Sequence, residues 1–223
     1  MKPTRLIGLC LLTTTLAAAV AAASASAALP EFTAPFPKTF TVASNGSLFE
    51  TAKGTKVKCL SDVASGEVTG EKTGTIQIIF KECASKKVPC NTPGVPPGEI
   101  PTAMLSFTVG YINKSATPRE VGIDLLPSAG GPFMEYACGS AVNGIVIGSV
   151  IGRITPINKK VTPPKFFPLK FKQTAGTQLV QNLEGEPKDT LETSFSGPGG
   201  PFEATGLTSV EKISFGEIVS LIA

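Results

Sequence analysis

The chain has 223 residues, with 20 Lys and Arg against 17 Asp and Glu and no histidine. The missing imidazole removes Ser-His-Asp and Cys-His catalysis and every histidine metal site together. A formal charge of +3, carried on scattered lysines, gives no electrostatic case for nucleic acid or an anionic membrane.

Lys2 and Arg5 precede an apolar and small-residue run over residues 6–20, and Ala25-Ser26-Ala27 supplies the small side chains a signal peptidase accepts. Residues 1–28 therefore read as a secretory signal. Their apolar part is short for the ~20 residues of a membrane span, and Cys10 lies too near the start for a lipoprotein. Residues 29–223 read as a single all-β domain whose charge, without Lys2 and Arg5, is +1. Four cysteines remain, Cys59, Cys83, Cys90 and Cys138. An even set in an exported chain reads as two disulfides. The close spacing favours Cys83–Cys90, with Cys59–Cys138 tying the ends of the segment. Zinc is disfavoured, because there is no C-x-x-C and no histidine.

Residues 29–38 hold three prolines and read as an extended lead-in or an edge. Asn45-Gly46 is a turn signal between two short apolar runs. Gly66, Gly70 and Gly74 then punctuate the approach to a strand over residues 75–82, where Ile76, Ile78 and Phe80 share one face and only Ile79 breaks the alternation. Cys83 falls on the polar parity, which predicts a disulfide at the sheet margin. After a proline-rich loop, Leu105, Phe107, Val109 and Tyr111 share a face, as do Val121, Ile123 and Leu125; the two runs read as a β-hairpin. Residues 141–155 are the most apolar stretch. They read as a central strand covered on both sides, or as one that bends between sheets. Asn143 and Arg153 bracket too few residues for a transmembrane helix. Phe167, Leu169 and Phe171 mark a further strand, and residues 207–215 and 217–222 the last two.

No segment carries a helical period, and 23 glycines and 19 prolines interrupt the chain too often for long helices. Many short strands separated by turn signals predict an antiparallel β-sandwich stapled by disulfides, with a β-barrel as the alternative.

The constellations that might carry chemistry are weak. Ser209-Val210-Glu211-Lys212 matches S-x-x-K and Lys72-Thr73-Gly74 matches K-T-G, but the order is reversed, and on a strand positions three apart face opposite ways. Residues 66–73 miss the P-loop spacing, because Glu71 separates Gly70 from Lys72. Glu184, Glu186, Asp189 and Glu192 form the densest acidic group, the one place where a carboxylate-dependent hydrolase could be sought; their Gly and Pro neighbours read as a solvated loop. Asp62, Asp124 and Asp189 are the only aspartates, and none belongs to a calcium loop. There is no tryptophan for a sugar platform, which leaves Tyr111 and Tyr136. No residue set points to a catalytic, cofactor or metal site.

Residues 148–160, GSVIGRITPINKK, together with residues 29–37, 110–113, 187–194 and 200–208, resemble a family of exported bacterial proteins without an assigned function. The resemblance implies a secreted, β-rich fold and supplies no activity or site residues. The expected function is that of an exported, non-enzymatic envelope or extracellular protein acting through its surface, its partner another envelope protein or a glycan. A small-ligand or glycan-binding module using the loops near Tyr111 and Tyr136 is the alternative. No nucleic acid, cofactor or stable membrane span is expected of the mature chain.

Overall fold

The computed structural model describes residues 30–140 and 142–223, which contain strands, turns and bends and no helix. The expected signal, residues 1–28, lies outside the described residues. Among those described, no helix is long and apolar enough to cross a membrane. The strands are β1 (Glu31–Thr33), β2 (Lys38–Ser44), β3 (Ser47–Thr51), β4 (Lys56–Cys59), β5 (Ser61–Val68), β6 (Thr73–Lys81), β7 (Ala84–Ser85), β8 (Val88–Asn91), β9 (Ile100–Pro101), β10 (Leu105–Asn113) and β11 (Glu120–Pro127). They continue as β12 (Met134–Cys138), β13 (Val142–Ile147), β14 (Val150–Ile154), β15 (Lys159–Val161), β16 (Phe167–Phe171), β17 (Gln173–Thr174), β18 (Thr177–Gln178), β19 (Glu192–Ser194), β20 (Phe202–Phe215) and β21 (Val219–Ile222).

Eight of these follow one another in chain order around a closed barrel. β2, β5, β6, β10, β11, β14, β16 and β20 each pair antiparallel with the next, and β20 returns to β2. The expected β-sandwich is thus corrected to a β-barrel. One long-range pairing makes the difference: Phe167 to Phe171 lies against Ile213 to Ser209 and leaves the sheet without an edge. Inward and outward residues alternate in both architectures, so no local pattern separates them.

In such a meander the connections after β2, β6, β11 and β16 emerge at one end of the barrel. Their strands build a second closed circuit of pairings, β20–β3–β4–β7–β8–β12–β13–β19 and back to β20. β20 serves both circuits. At the other end β1, β21 and β15 form a small sheet, and Phe32 of β1 packs edge-on against Phe167. The lead-in read as an edge is β1.

Ile76, Ile78 and Phe80 are buried as the alternation requires, and the β10–β11 hairpin pairs Leu105 with Pro127 through Asn113 with Glu120. Two local expectations change. Asn45-Gly46 is a bulge and not a hairpin turn: β2 and β3 both pair with β20, and three residues separate Ala43 from Ser47 where two separate Lys212 from Ser209. The apolar stretch, read as one central strand or one that bends between sheets, holds two strands joined by a bend, β13 in the second circuit and β14 in the barrel. Between them Gly148 holds φ +89°, where the chain bends from one to the other.

All four cysteines are disulfide-bonded, but as Cys59–Cys83 and Cys90–Cys138 and not in the expected pairing. Glu82 occupies φ +53°, an inserted left-handed residue that turns Cys83 from the outer face to the interior, where it is 1% exposed. The expected position at the sheet margin is corrected with it. Lys58 pairs with Ala84, which sets Cys59 beside Cys83, and Cys138 is the register partner of Cys90. Cys90 N–H donates to Cys83 O at 2.8 Å, so the four cysteines form one row across neighbouring strands. Cys83 and Cys90, the middle pair of the row, share the backbone bond, and each is disulfide-bonded to the cysteine that flanks it.

Non-reducing peptide mapping should recover Cys59 with Cys83 and Cys90 with Cys138; any Cys83–Cys90 peptide would refute this arrangement. The Cys59–Cys83 bridge spans 24 residues. On chain-entropy grounds the C59A/C83A variant should lose about 3.5 kcal/mol of unfolding free energy in denaturant titration.

Candidate functional site

Two constellations of polar side chains stand out, one sealed in the core and one open to solvent. The sealed one sits at the bulge where β2 passes into β3 and β4 into β5. Asp62 and Glu211 occupy core parity on β5 and β20 and are 0% and 2% exposed. Ser44 and Ser47 both donate to Asp62 Oδ2, Ser47 at 2.6 Å, and Ser209 donates to Glu211 Oε1. Asp62 Oδ1 and Glu211 Oε2 are left buried with no other partner. Burial, and then the neighbouring Asp62 carboxylate, push the Glu211 carboxyl up to about 9. Glu211 is therefore neutral at pH 7, and its O–H supplies the donor that the two remaining oxygens require. With no solvent access this pair has no substrate to act on. With its serines it holds four strands together, β2, β3, β5 and β20.

The open constellation lies on the outer face of the barrel. Gly110 of β10 and Gly122 of β11 are register partners facing outward. Side chains from elsewhere fill the hollow they leave: a Cβ on Gly110 would meet Leu183 Cδ1 at 2.7 Å, and one on Gly122 would meet Ile112 and Ile151 at 2.9 Å. Leu183 and Ile151 are buried yet stand outside the main core cluster. Leu183 anchors a strap, residues 179–189, that lies across β10. The strap is tied by Glu184 N–H to Tyr111 O at 2.7 Å, by Lys114 N–H to Glu184 Oε1 at 2.7 Å, and across its own base by Asp189 N–H to Gln181 O at 3.0 Å.

Between the strap and β10–β11 opens a cleft of about 690 Å³, lined among others by Thr108, Tyr111, Lys114, Asp124, Glu186 and Asp189. Asp124 forms part of its wall. Burial pushes its carboxyl up, and the charges of Asp189 and Glu186 push it further against the opposing Ser149 hydroxyl. Asp124 Oδ1 and Ser149 Oγ are buried, and neither has a partner in good hydrogen-bond geometry. Lys114 Nζ stands 5.7 Å from the centre of the Tyr111 ring. The cleft thus offers carboxylate acceptors beside the ammonium groups of Lys72 and Lys114. Among the described residues, no group of three or more His, Cys, Asp or Glu side chains is arranged to hold a metal ion.

Of the residues singled out in the sequence, Tyr111, Asp124, Glu184, Glu186 and Asp189 meet here. Glu192 lies on β19, and Tyr136 packs against Gly144 on β12–β13, away from this cleft. Burial pushes the Tyr136 phenol up. Ser209 and Lys212 face opposite ways, buried and exposed, as a strand demands of S-x-x-K. The sealed pair escaped the sequence reading although its signal was present: Glu211 shares parity with Leu207, Ile213 and Phe215, and a carboxylate on a core parity asks for a partner.

Comparison with protein-family models, with characterised proteins and with solved structures finds no match. No family is assigned. The resemblance noted in the sequence carries no activity to this chain, and the function has to be argued from the geometry above.

The sealed pair predicts a pH dependence of stability. The folded state holds a proton on Glu211 that an ordinary glutamate, at 4.5, releases on unfolding. The stabilisation is full below that value, declines as pH rises and is gone above about 9. With no histidine, few other groups titrate in this window. Denaturant midpoints should therefore fall between pH 6 and 9 in the wild type and stay level in Glu211→Gln; parallel curves would show that no proton is held there.

Proposed function

We propose that the protein is an exported binding module that takes a small hydroxyl-rich ligand, such as a sugar unit of a glycan, in the cleft beside the strap. One observation carries the reading: the Asp124 carboxyl, its Oδ1 buried beside the Ser149 hydroxyl, stands in the wall of an open concavity with Glu186 and Asp189. Ligand sites are concavities with a few polar groups placed in this way. Hydroxyl donors suit the carboxylates of Asp124, Glu186 and Asp189, which line the cleft together with Lys72 and Lys114. The strap's Glu184 is held in place by Lys114 N–H.

A glycan array followed by calorimetry on the hits tests this. Asp124→Ala should weaken binding by about 10- to 100-fold, the worth of a hydrogen bond to a charged group, with the thermal midpoint retained. Acidification should weaken wild-type binding at a higher pH than an ordinary aspartate would set, because the Asp124 carboxyl is raised and protonation removes the acceptor. Absence of any hit, or hits indifferent to Asp124→Ala, would refute the proposal.

A further inference from the structure

On the far side of the strap the same outer face carries the opposite charge. Arg153 of β14 and Lys170 of β16 are register partners facing outward, and Lys172 follows two residues on. Together with Glu120, Ile112 and Leu179 they line a second concavity of about 280 Å³. Arg153 is paired with Glu120 at 2.9 Å. Neither Lys170 nor Lys172 has an ion-pair partner among the described residues. The concavity therefore holds a net charge of two positives. Its opposite wall is apolar, made by Ile112, Val180 and Leu179, and Leu179 is 59% exposed, more than any other large apolar side chain described.

An apolar side chain held open beside two unpaired ammonium groups is complementary to one kind of ligand. We propose that this pocket binds a small amphipathic anion, a carboxylate or phosphate group carried on a short apolar body. Lys170 and Lys172 take the anion, Arg153 adds a planar donor fork oriented by Glu120, and Leu179 with Ile112 covers the apolar body. The volume lies near the lower bound of ordinary ligand pockets, so a short chain or a single ring fills it. The site is independent of the acidic cleft, since the two share no lining residue.

Calorimetry on the full mature protein with hexanoate, hexyl phosphate and inorganic phosphate tests the pocket, alongside sedimentation with anionic phospholipid vesicles. Both hexyl probes should bind, and inorganic phosphate about tenfold or more weakly by comparison, because it cannot use the apolar wall. The K170Q/K172Q variant should lose at least about tenfold for both hexyl probes. Leu179→Ser should weaken the hexyl probes alone, and Asp124→Ala should change nothing here. Lys170, Lys172 and Leu179 are exposed, so thermal midpoints should hold in the variants at these positions. Equal binding of inorganic and hexyl phosphate, insensitivity to K170Q/K172Q, or no binding by any small probe would overturn the assignment. Vesicle binding without hexyl phosphate binding would overturn it too, by assigning these cations to a membrane surface.

Discussion

A carboxyl group kept neutral inside the protein governs how the two circuits of strands join. Glu211 and Asp62 meet where β20 leaves the company of β3 and takes up β2, and where β4 gives way to β5. Two ionised carboxylates could not share that space, since burial and mutual repulsion both favour the protonated form of one of them. The three serines complete the arrangement by donating to the oxygens that the shared proton leaves over. An apolar substitute of the same shape would be cheaper to bury. What the polar cluster adds is register: Ser44 faces Asp62 across β2–β5, and Ser47 faces Ser209 across β3–β20, so a one-residue slip of any strand would strand a buried charge.

That constraint matters because β20 is asked to do two things along 14 residues. Its first part closes the second circuit and its last part closes the barrel. A single regular strand cannot turn both sets of neighbours inward without extra residues on the partner strands. The bulge at Asn45-Gly46 supplies one, and the sealed cluster lies beside it. The disulfides act on the adjacent side of the same junction. Cys59 is the register partner of Ser47, so the row of four cysteines starts one strand away from the carboxyl pair.

Much of this was legible strand by strand. The alternation placed Ile76, Ile78, Phe80, the β10–β11 hairpin and the inward face of β16 correctly, because a strand with one buried face writes its period directly into the sequence. What failed were the points where one residue breaks the period. Glu82 in the left-handed region reversed the parity of Cys83 and with it the expected place of its disulfide at the sheet margin, while the pairing itself, read from close spacing, gave way to register across neighbouring strands. Asn45-Gly46, a strong hairpin signal in isolation, became a bulge because β20 pairs with both flanking runs. Barrel closure was beyond local reading altogether, since it rests on residues 167–171 meeting residues 209–213. The outer cleft was half visible: the acidic run at residues 184–189 and Tyr111 were noted, but Asp124 joins them only through a strap whose anchor, Leu183, looks like any loop leucine.

The barrel also explains why the concavities lie outside it. Eight strands leave an interior that side chains fill, and here phenylalanine rings do so. Phe40 stands 6.1 Å from Phe107 and 5.6 Å from Phe215, and Phe215 is 5.9 Å from Phe167. A ligand finds no lumen, so concavity must be built on the outer wall. The paired glycines on β10 and β11 provide it by removing two side chains from the convex surface at the same height. Leu183 settles into that hollow and carries the strap across the strands. A ridge on a convex wall necessarily leaves a recess on each side, and the outward residues of the strands beneath decide the charge each recess presents. Under one flank lies Asp124 and under the other lie Arg153 and Lys170. One strap thereby divides a single barrel face into an acidic and a basic recess.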